Sequence, residues 1–247
     1  MTRNAILVIV LAAIAAFAAG FLVANKLNAS EIAALRAQIS QNTPANTDQA
    51  KRTDDSPLTA DEIRAKIDEA DKNPDNFSFQ KNLGIALYRY AAMKQDESLL
   101  VNAIRILTRA NSLDPKDYDV IVALGNGQFD TGFAKKDNAS FQKARDLYSQ
   151  ALAMRPDDPD VRTDRALTYF LQDPPDYDKA AAELQKVLAG NPSHDRSLQF
   201  LVQVYVKQNR IADADKMLAR LKEVNPSDPS IADLTSQIAV AKGGATK

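Results

Sequence analysis

A proline recurs at a nearly regular interval through most of this 247-residue sequence. The prolines are Pro74, Pro115, Pro156, Pro192 and Pro226, which stand 41, 41, 36 and 34 residues apart. Because proline cannot continue an α-helix, each of them predicts the end of a helical unit. A period of about 34 residues is typical of arrays built from antiparallel helix pairs. The spacing therefore predicts a stack of helical hairpins.

The residues that precede the last four prolines repeat in register. Each copy has an alanine, a larger apolar residue four positions later, and an apolar residue three positions after that. The copies are Ala103, Leu107 and Ala110; Ala144, Tyr148 and Ala151; Ala180, Leu184 and Val187; and Ala214, Leu218 and Leu221. Steps of four and three place these side chains on one face of a helix. The small alanine allows another helix to approach that face closely.

Another helix is predicted ahead of each of these segments. Its markers are Leu83-Gly84, Leu124-Gly125, Arg165-Ala166 and Leu201-Val202, followed by Leu87, Gln128, Tyr169 and Tyr205. Together the four copies resemble the tetratricopeptide repeat family over roughly Asp75 to Pro226. The resemblance implies an all-α fold, a right-handed solenoid of about four helical hairpins. It also implies a concave face, lined by the first helix of each pair, that binds peptides or partner domains.

Three features depart from a uniform repeat. The first two copies carry seven extra residues between the two helix markers, so both helices of each pair are expected to lengthen by a turn and protrude. Asp173 to Asp176 contains two prolines and predicts a rigid turn. Arg165 stands where the other copies suggest leucine, and we expect it to snorkel or to pair with a nearby acid such as Asp160 or Asp164.

Further helices are predicted at both ends of the array. Leu58 to Asn73 begins with Thr59 as a helix N-cap and places Ile63, Ile67 and Ala70 on one face, as an opening cap requires. A closing helix is expected after Pro229, because a solenoid must cover its last apolar face. Its apolar residues are Ile231, Leu234, Ile238 and Val240. The repeat domain is therefore assigned to residues 58–242.

The N-terminal region predicts membrane attachment. Ala5 to Ala24 is a run of 20 residues without a charge, the length that a membrane-spanning helix needs. We assign residues 1–27 to an uncleaved signal anchor, with a cleavable signal peptide ending near Ala18 as the alternative. Residues 28–57 form a predicted stem and flexible linker. The expected location is the bacterial inner membrane as a single-pass protein with periplasmic repeats, or export after signal cleavage.

The composition excludes several kinds of chemistry. The chain has 31 Lys plus Arg against 32 Asp plus Glu, so it lacks the basic excess that would predict nucleic-acid binding. It has no cysteine, which excludes disulfides and thiolate sites. The one histidine, His194, has no predictable catalytic or metal-ligand partner, and Gly125-Asn126-Gly127 lies inside a helix rather than after a strand. We predict no enzyme activity, no cofactor and no metal.

The resemblance also implies which side chains contact a partner. Those expected on the concave face are Lys81, Tyr88, Asn126, Phe129, Asp130, Thr163, Phe170, Gln199 and Gln203. Side-chain amides can form hydrogen bonds with the backbone of a peptide ligand, and aromatic rings can pack against its side chains. The paired Lys and Asn clamp by which some relatives hold a C-terminal carboxylate is not reproduced.

These features lead to a hypothesis and its alternatives. The leading interpretation is a non-catalytic scaffold that is tethered to the membrane and binds partner proteins or peptides. One alternative is a structural oligomer of the cell envelope. Another is an accessory subunit of an assembly complex like those of cytochrome maturation. A third is an enzyme accessory or hydrolase whose activity depends on His194.

Overall fold

The computed structural model describes residues 59–244, and every regular element in that range is an α-helix. The ten helices are α1 (Ala60–Lys72), α2 (Phe77–Lys94), α3 (Glu97–Leu113), α4 (Tyr118–Lys135), α5 (Asn138–Met154), α6 (Pro159–Leu171), α7 (Tyr177–Gly190), α8 (Asp195–Lys207), α9 (Ile211–Val224) and α10 (Ile231–Gly244). The prediction of an all-α repeat fold is confirmed for this range.

The predictions for the N-terminal region fall on other residues. The membrane helix assigned to residues 1–27 and the stem and linker assigned to residues 28–57 lie outside the described residues. None of the helices between residues 59 and 244 has the length and apolar character to cross a membrane. The chain divides into two compact units after Arg109, within α3, and each unit is described by itself below.

In the first unit, a buried glutamine links α1 to α2. Gln80 is fully buried, and its Nε2 donates to the carbonyl oxygens of Ala70 at 2.7 Å and Asn73 at 2.9 Å. These bonds supplement the backbone hydrogen bonds that the two carbonyl groups accept at the end of α1. At the start of α1, the Thr59 side chain and Glu62 form a reciprocal capping box, as the predicted N-cap requires.

The second unit contains three successive hairpins and a closing helix. The hairpins are α4 with α5, α6 with α7, and α8 with α9, and each of α5 and α7 also packs against the first helix of the next hairpin. The closing helix α10 contacts α8 and α9 and buries Leu234 and Ile238. Val240 was expected on that apolar face, but its side chain is 73% exposed. Two residues beyond Ile238 a helix has turned by roughly 200°, so the expectation for Val240 was wrong.

The repeated alanines occupy the positions that the sequence predicted. All four are completely buried: Ala103, Ala144, Ala180 and Ala214. Glycines allow equally close contact in the first helices. A Cβ added at Gly125 would lie 2.8 Å from Cε1 of Tyr148, and one at Gly84 would lie 2.8 Å from Cγ of Leu107. Small residues on the facing helices therefore set the spacing within the hairpins.

The length of each helix follows the insertions in the sequence. Helices α4 and α5 have 18 and 17 residues, whereas α6 and α7 have 13 and 14. Helices α2 and α3 are also 18 and 17 residues long, so the predicted lengthening is confirmed for both copies. The extra turn of α5 supplies Asn138, which bonds both backbone groups of Asp173 in the turn between α6 and α7.

Candidate partner-binding face

The face predicted to bind a partner is made by first helices that lie beside one another in the second unit. Helix α6 packs against both α4 and α8. We use the name first-helix face for the predicted partner-contacting residues on these three helices. They are Asn126, Phe129, Asp130, Thr163, Phe170, Gln199 and Gln203. The other two predicted contact residues, Lys81 and Tyr88, lie on α2 in the first unit.

On α4, the three predicted residues differ in depth. Phe129 is 3% exposed and packs edge-on against Phe141, with ring centroids 5.7 Å apart. Asn126 is half-buried, and its Oδ1 accepts a hydrogen bond from the Tyr148 hydroxyl at 2.9 Å. Asp130, one turn further along, is also half-buried. Phe129 therefore fills the interior of the hairpin, while the amide and the carboxylate reach the surface.

On α6, one predicted residue is interior and one reaches solvent. Thr163 is completely buried, and its Oγ1 donates to the carbonyl of Pro159 and lies 2.7 Å from Oγ of Ser197. Its hydroxyl links α6 to α8 and is not available on the surface. Phe170 is half-buried, with its ring centroid 5.7 Å from that of Tyr177.

Two amides of the predicted set lie on α8. Gln199 and Gln203 are half-buried and stand four residues apart, on the same side of the helix. No hydrogen bond joins either side-chain amide to another group of residues 59–244. On α2, Tyr88 is buried at 3% exposure and Lys81 is half-buried. Of the nine predicted residues, Tyr88, Phe129 and Thr163 thus lie in the interior, and partner binding by the other six stays a prediction.

Beside the first-helix face lies an ion-pair cluster that the sequence did not predict. The guanidinium of Arg196 on α8 donates to Asp164 on α6, and its Nη1 lies 3.9 Å from Asp160. Burial raises the pKa of the Asp164 carboxyl above its usual value, although the adjacent Arg196 opposes this change. These charges join the successive first helices α6 and α8 within the second unit.

The partner of Arg165 differs from the expectation. We expected Arg165 to snorkel or to pair with a nearby acid such as Asp160 or Asp164. It does pair with an acid, but its Nη2 donates to Glu183 on α7. The two named candidates were wrong because consecutive helical residues point about 100° apart. Asp164 faces α8, while Arg165 faces the second helix of its own hairpin.

The single histidine caps a helix. His194 is the N-cap of α8, where its Nδ1 accepts from the backbone N–H of Ser197 at 3.3 Å. The register of the repeat carries a signal for this role, because Asn76, Asp117 and Asp158 occupy the same place, two residues after a proline, and also cap helices. Reading that register would have identified His194 as a cap.

The hydrogen bonds around His194 have the components of a nucleophile relay. Its Nδ1 lies 2.9 Å from Ser197 Oγ, and its Nε2 lies 3.3 Å from Oδ1 of Asp160. This hydrogen bond from His194 lowers the pKa of the Asp160 carboxyl. However, Ser197 is completely buried and bonded to Thr163, so its hydroxyl cannot reach a substrate. The arrangement fixes the start of α8.

Comparison with known proteins agrees with this architecture. Residues 175–238 match the family described as Tetratricopeptide repeat. A solved structure of MamA protein shares 22% identity and covers 67% of this chain and 81% of its own, with a TM-score of 0.53. A tetratricopeptide repeat protein from Parabacteroides merdae ATCC 43184 shares 17% identity over 74% of this chain and 65% of its own, with a TM-score of 0.57.

A thermophilic tetratricopeptide protein of Thermus thermophilus, TTC0263, has the same fold. It shares 18% identity over 73% of this chain and 88% of its own, with a TM-score of 0.51. Among curated proteins, no sequence matches the chain. Residues 175–238 thus match the tetratricopeptide repeat family, and the fold of residues 59–244 is similar to that of solved tetratricopeptide repeat proteins, in agreement with the resemblance seen in the sequence. Repeats of this kind provide scaffolds for protein–protein interaction.

Proposed function

We propose that this chain binds partner proteins or peptides on its first-helix face while its N-terminal segment holds it at the bacterial inner membrane. The observation that carries the binding proposal is the pair of amides on α8. Gln199 and Gln203 are partly exposed, one turn apart, and have no hydrogen-bond partner among residues 59–244. A side-chain amide offers both donors and an acceptor. Two of them in a row suit the backbone of an extended peptide.

Neighbouring groups on the same face extend this surface. Asn126 and Asp130 on α4 and Phe170 on α6 are also half-buried, so each presents part of its side chain to solvent. An aromatic ring among amides and a carboxylate combines apolar contact area with hydrogen-bonding groups, as peptide-binding surfaces do. The proposed occupant is therefore a peptide segment that is held by its backbone and by an apolar side chain against Phe170.

The binding proposal is tested by proximity labelling from the intact protein in its native cell, followed by mass spectrometry. The test variant combines Gln199→Ala with Gln203→Ala. Because both side chains are partly exposed, these substitutions should leave the fold intact. Gln150→Ala is the matched control, since Gln150 is an exposed glutamine on the second helix α5. We expect partners to be lost only with the double variant. Partners that both variants retain equally would contradict recognition by this face.

The membrane proposal rests on the uncharged run from Ala5 to Ala24. Fractionation of cells should place the intact chain with the inner membrane, resistant to high salt and released by detergent. Val10→Arg combined with Ile14→Arg should move it to a soluble fraction, because each arginine costs about 2.5–3.5 kcal/mol at the centre of a spanning helix. An intact chain that salt alone extracts would contradict a spanning anchor.

The side of the membrane is tested by thiol labelling, which the cysteine-free sequence makes specific. Val240→Cys introduces one thiol at a side chain that is 73% exposed. A membrane-impermeant maleimide should label this variant in spheroplasts if the repeats are periplasmic. Labelling that appears only after lysis of the inner membrane would place the repeats in the cytoplasm instead.

A further inference from the structure

The hairpin formed by α6 and α7 carries charged residues at positions that are mostly apolar in the other hairpins. Arg165 replaces a leucine, and the equivalent residues are Leu83, Leu124 and Leu201. Glu183 replaces an apolar residue on the second helix, and its equivalents are Ile106, Leu147 and Met217. Arg162 is half-buried and stands at the position of Gln80, Ile121 and Leu198, all of which are buried. The hairpin therefore has ion pairs where its neighbours have mainly apolar contacts.

The repeat fold does not require these charges. A buried ion pair is often no more stabilising than apolar side chains of similar volume, because both charges lose their hydration. The other copies show that apolar residues satisfy the same positions. Positions that break the local pattern of a fold are where functional residues are expected. The charges of this hairpin are thus candidates for binding rather than for folding.

The charges converge on a single carboxylate. Arg162 Nη1 lies 3.1 Å from Oε2 of Glu183, Arg165 Nη2 donates to the same oxygen, and Lys186 Nζ lies 3.2 Å from Oε1. Ser149 on α5 borders the group, with its Oγ 3.2 Å from Arg165 Nη1. We call Arg162, Arg165, Glu183 and Lys186 the third-hairpin charge cluster.

The third-hairpin charge cluster has more positive than negative charge. Its three cations share one carboxylate, and none of them lies within 4.0 Å of another acid among the described residues. In addition, Arg165 Nε is buried and has no hydrogen-bond partner within residues 59–244. Burial raises the pKa of Glu183, but Arg165 and Lys186 outweigh it and hold that pKa below its usual value. The carboxylate therefore stays ionised, and two positive charges remain in excess.

The cluster is open to solvent on one side. The side chains of Arg162 and Arg165 are 18% exposed and that of Glu183 is 10% exposed, whereas Lys186 is 61% exposed. An anion can therefore approach past the Lys186 ammonium group and the exposed Ser149. The partly buried guanidinium groups would attract it more strongly than fully hydrated groups, because charges away from bulk water are less screened.

We propose that the third-hairpin charge cluster binds a tetrahedral oxyanion of the phosphate class. A phosphate monoester carries about 1.5 to 2 negative charges at neutral pH and has several acceptor oxygens, which match the two excess positive charges of the cluster. The arginines supply the inner positive charge, and Lys186 supplies the contact at the entrance. The ligand is either free phosphate or a phosphate monoester on another molecule.

The proposal is tested by calorimetric titration of the intact chain with inorganic phosphate at constant ionic strength. Lys186→Gln, a change at an exposed side chain, should weaken phosphate binding by about three- to five-fold, as expected for a surface charge. Arg162→Leu with Lys186→Gln removes both excess positive charges, leaves the Arg165–Glu183 pair in place and should abolish binding. Arg220→Gln is the matched control, because Arg220 occupies the position of Lys186 on α9, and it should leave the affinity unchanged.

A second titration with O-phosphoserine distinguishes the two sources. Binding of both ligands would show that a monoester fits, and binding of inorganic phosphate alone would assign the site to the free anion. Either result supports the proposal, provided that Lys186→Gln weakens the binding of phosphate. Absence of phosphate binding, or equal losses with Lys186→Gln and Arg220→Gln, would overturn it.

Discussion

Close packing between α4 and α5 depends on the absence of a side chain at Gly125. A Cβ at this position would lie 2.8 Å from Cε1 and 3.0 Å from Cδ1 of Tyr148, well inside normal contact distance. The Tyr148 ring is 1% exposed, and its hydroxyl donates to Asn126 at 2.9 Å, so packing and a hydrogen bond both oppose its displacement. We predict that Gly125→Ala destabilises the protein.

Two opposing effects set the magnitude. Overpacking of a well-packed interior costs about 1–3 kcal/mol. Replacement of glycine by alanine inside a helix stabilises the folded state by about 1 kcal/mol, because alanine has the lower backbone entropy when unfolded and the higher helix propensity. Because the Tyr148 ring is held on several sides, the first effect should exceed the second. The expected net loss in the free energy of unfolding is about 0.5–2 kcal/mol.

Urea unfolding followed by circular dichroism at 222 nm measures this change. Gly190→Ala is the matched control, since a Cβ at that position would have no atom within 4 Å apart from its chain neighbours and the backbone of its own helix. Gly190 is the last residue of α7, so alanine should be neutral or stabilising by less than about 1 kcal/mol. A Gly125→Ala protein as stable as the Gly190→Ala protein would refute the close contact between α4 and α5.

Three further predictions concern a helix end, an ion pair and pH. Asn209 follows α8 with a positive φ of 58°, so Asn209→Gly should raise the free energy of unfolding by up to about 1 kcal/mol in urea titrations, and Asn209→Ala should lower it. Glu183→Ala should lower the free energy of unfolding by about 2–4 kcal/mol because it leaves two partly buried arginines without a carboxylate, whereas Arg165→Leu with Glu183→Ile should cost much less. Equal costs in the same assay would contradict this reasoning. Hydrogen bonds from Lys179, first from its backbone N–H, lower the pKa of Asp176 below its unfolded value of 3.8. The resulting stability is present above that value and is lost as pH falls through the folded pKa, so Asp176→Asn should weaken the fall in melting temperature below about pH 4.

The repeat architecture was predictable because its signals are local and repeated. Proline ends helices whatever surrounds it, and an alanine that recurs at a fixed distance predicts a close contact between helices. Ala103 and Ala180 are completely buried as a result. The capping box of Thr59 and Glu62 could equally be predicted from the sequence, because it depends on two residues that stand three positions apart.

The depth of individual side chains was less predictable. Phe129 was assigned to the surface by its place in the repeat, yet it packs against Phe141 at the start of the lengthened α5. Thr163 was also expected on the surface, but Ser197 lies against its hydroxyl from the next hairpin. In both residues, burial depends on a contact with a helix elsewhere in the sequence. A repeat position specifies which side of a helix a residue occupies, and not what covers it.

The partners in ion pairs were also hard to predict from the sequence. Candidates for the partner of Arg165 were chosen by closeness in sequence, which favoured Asp164 over the more distant Glu183. The helix turns these neighbours in different directions, and the packing of α6 against α7 brings Glu183 to the arginine. Long-range ion pairs of this kind require the hairpin geometry before they can be assigned.

The claim that a partner occupies the first-helix face is tested most directly by site-specific photo-crosslinking in the native cell. A photoreactive amino acid is placed at position 199 on α8 or, as the control, at position 150 on α5, and the adducts are identified by mass spectrometry. We predict a discrete adduct with one partner protein from position 199 and none from position 150. An adduct from position 150 alone, or identical adducts from both positions, would contradict recognition by the first-helix face.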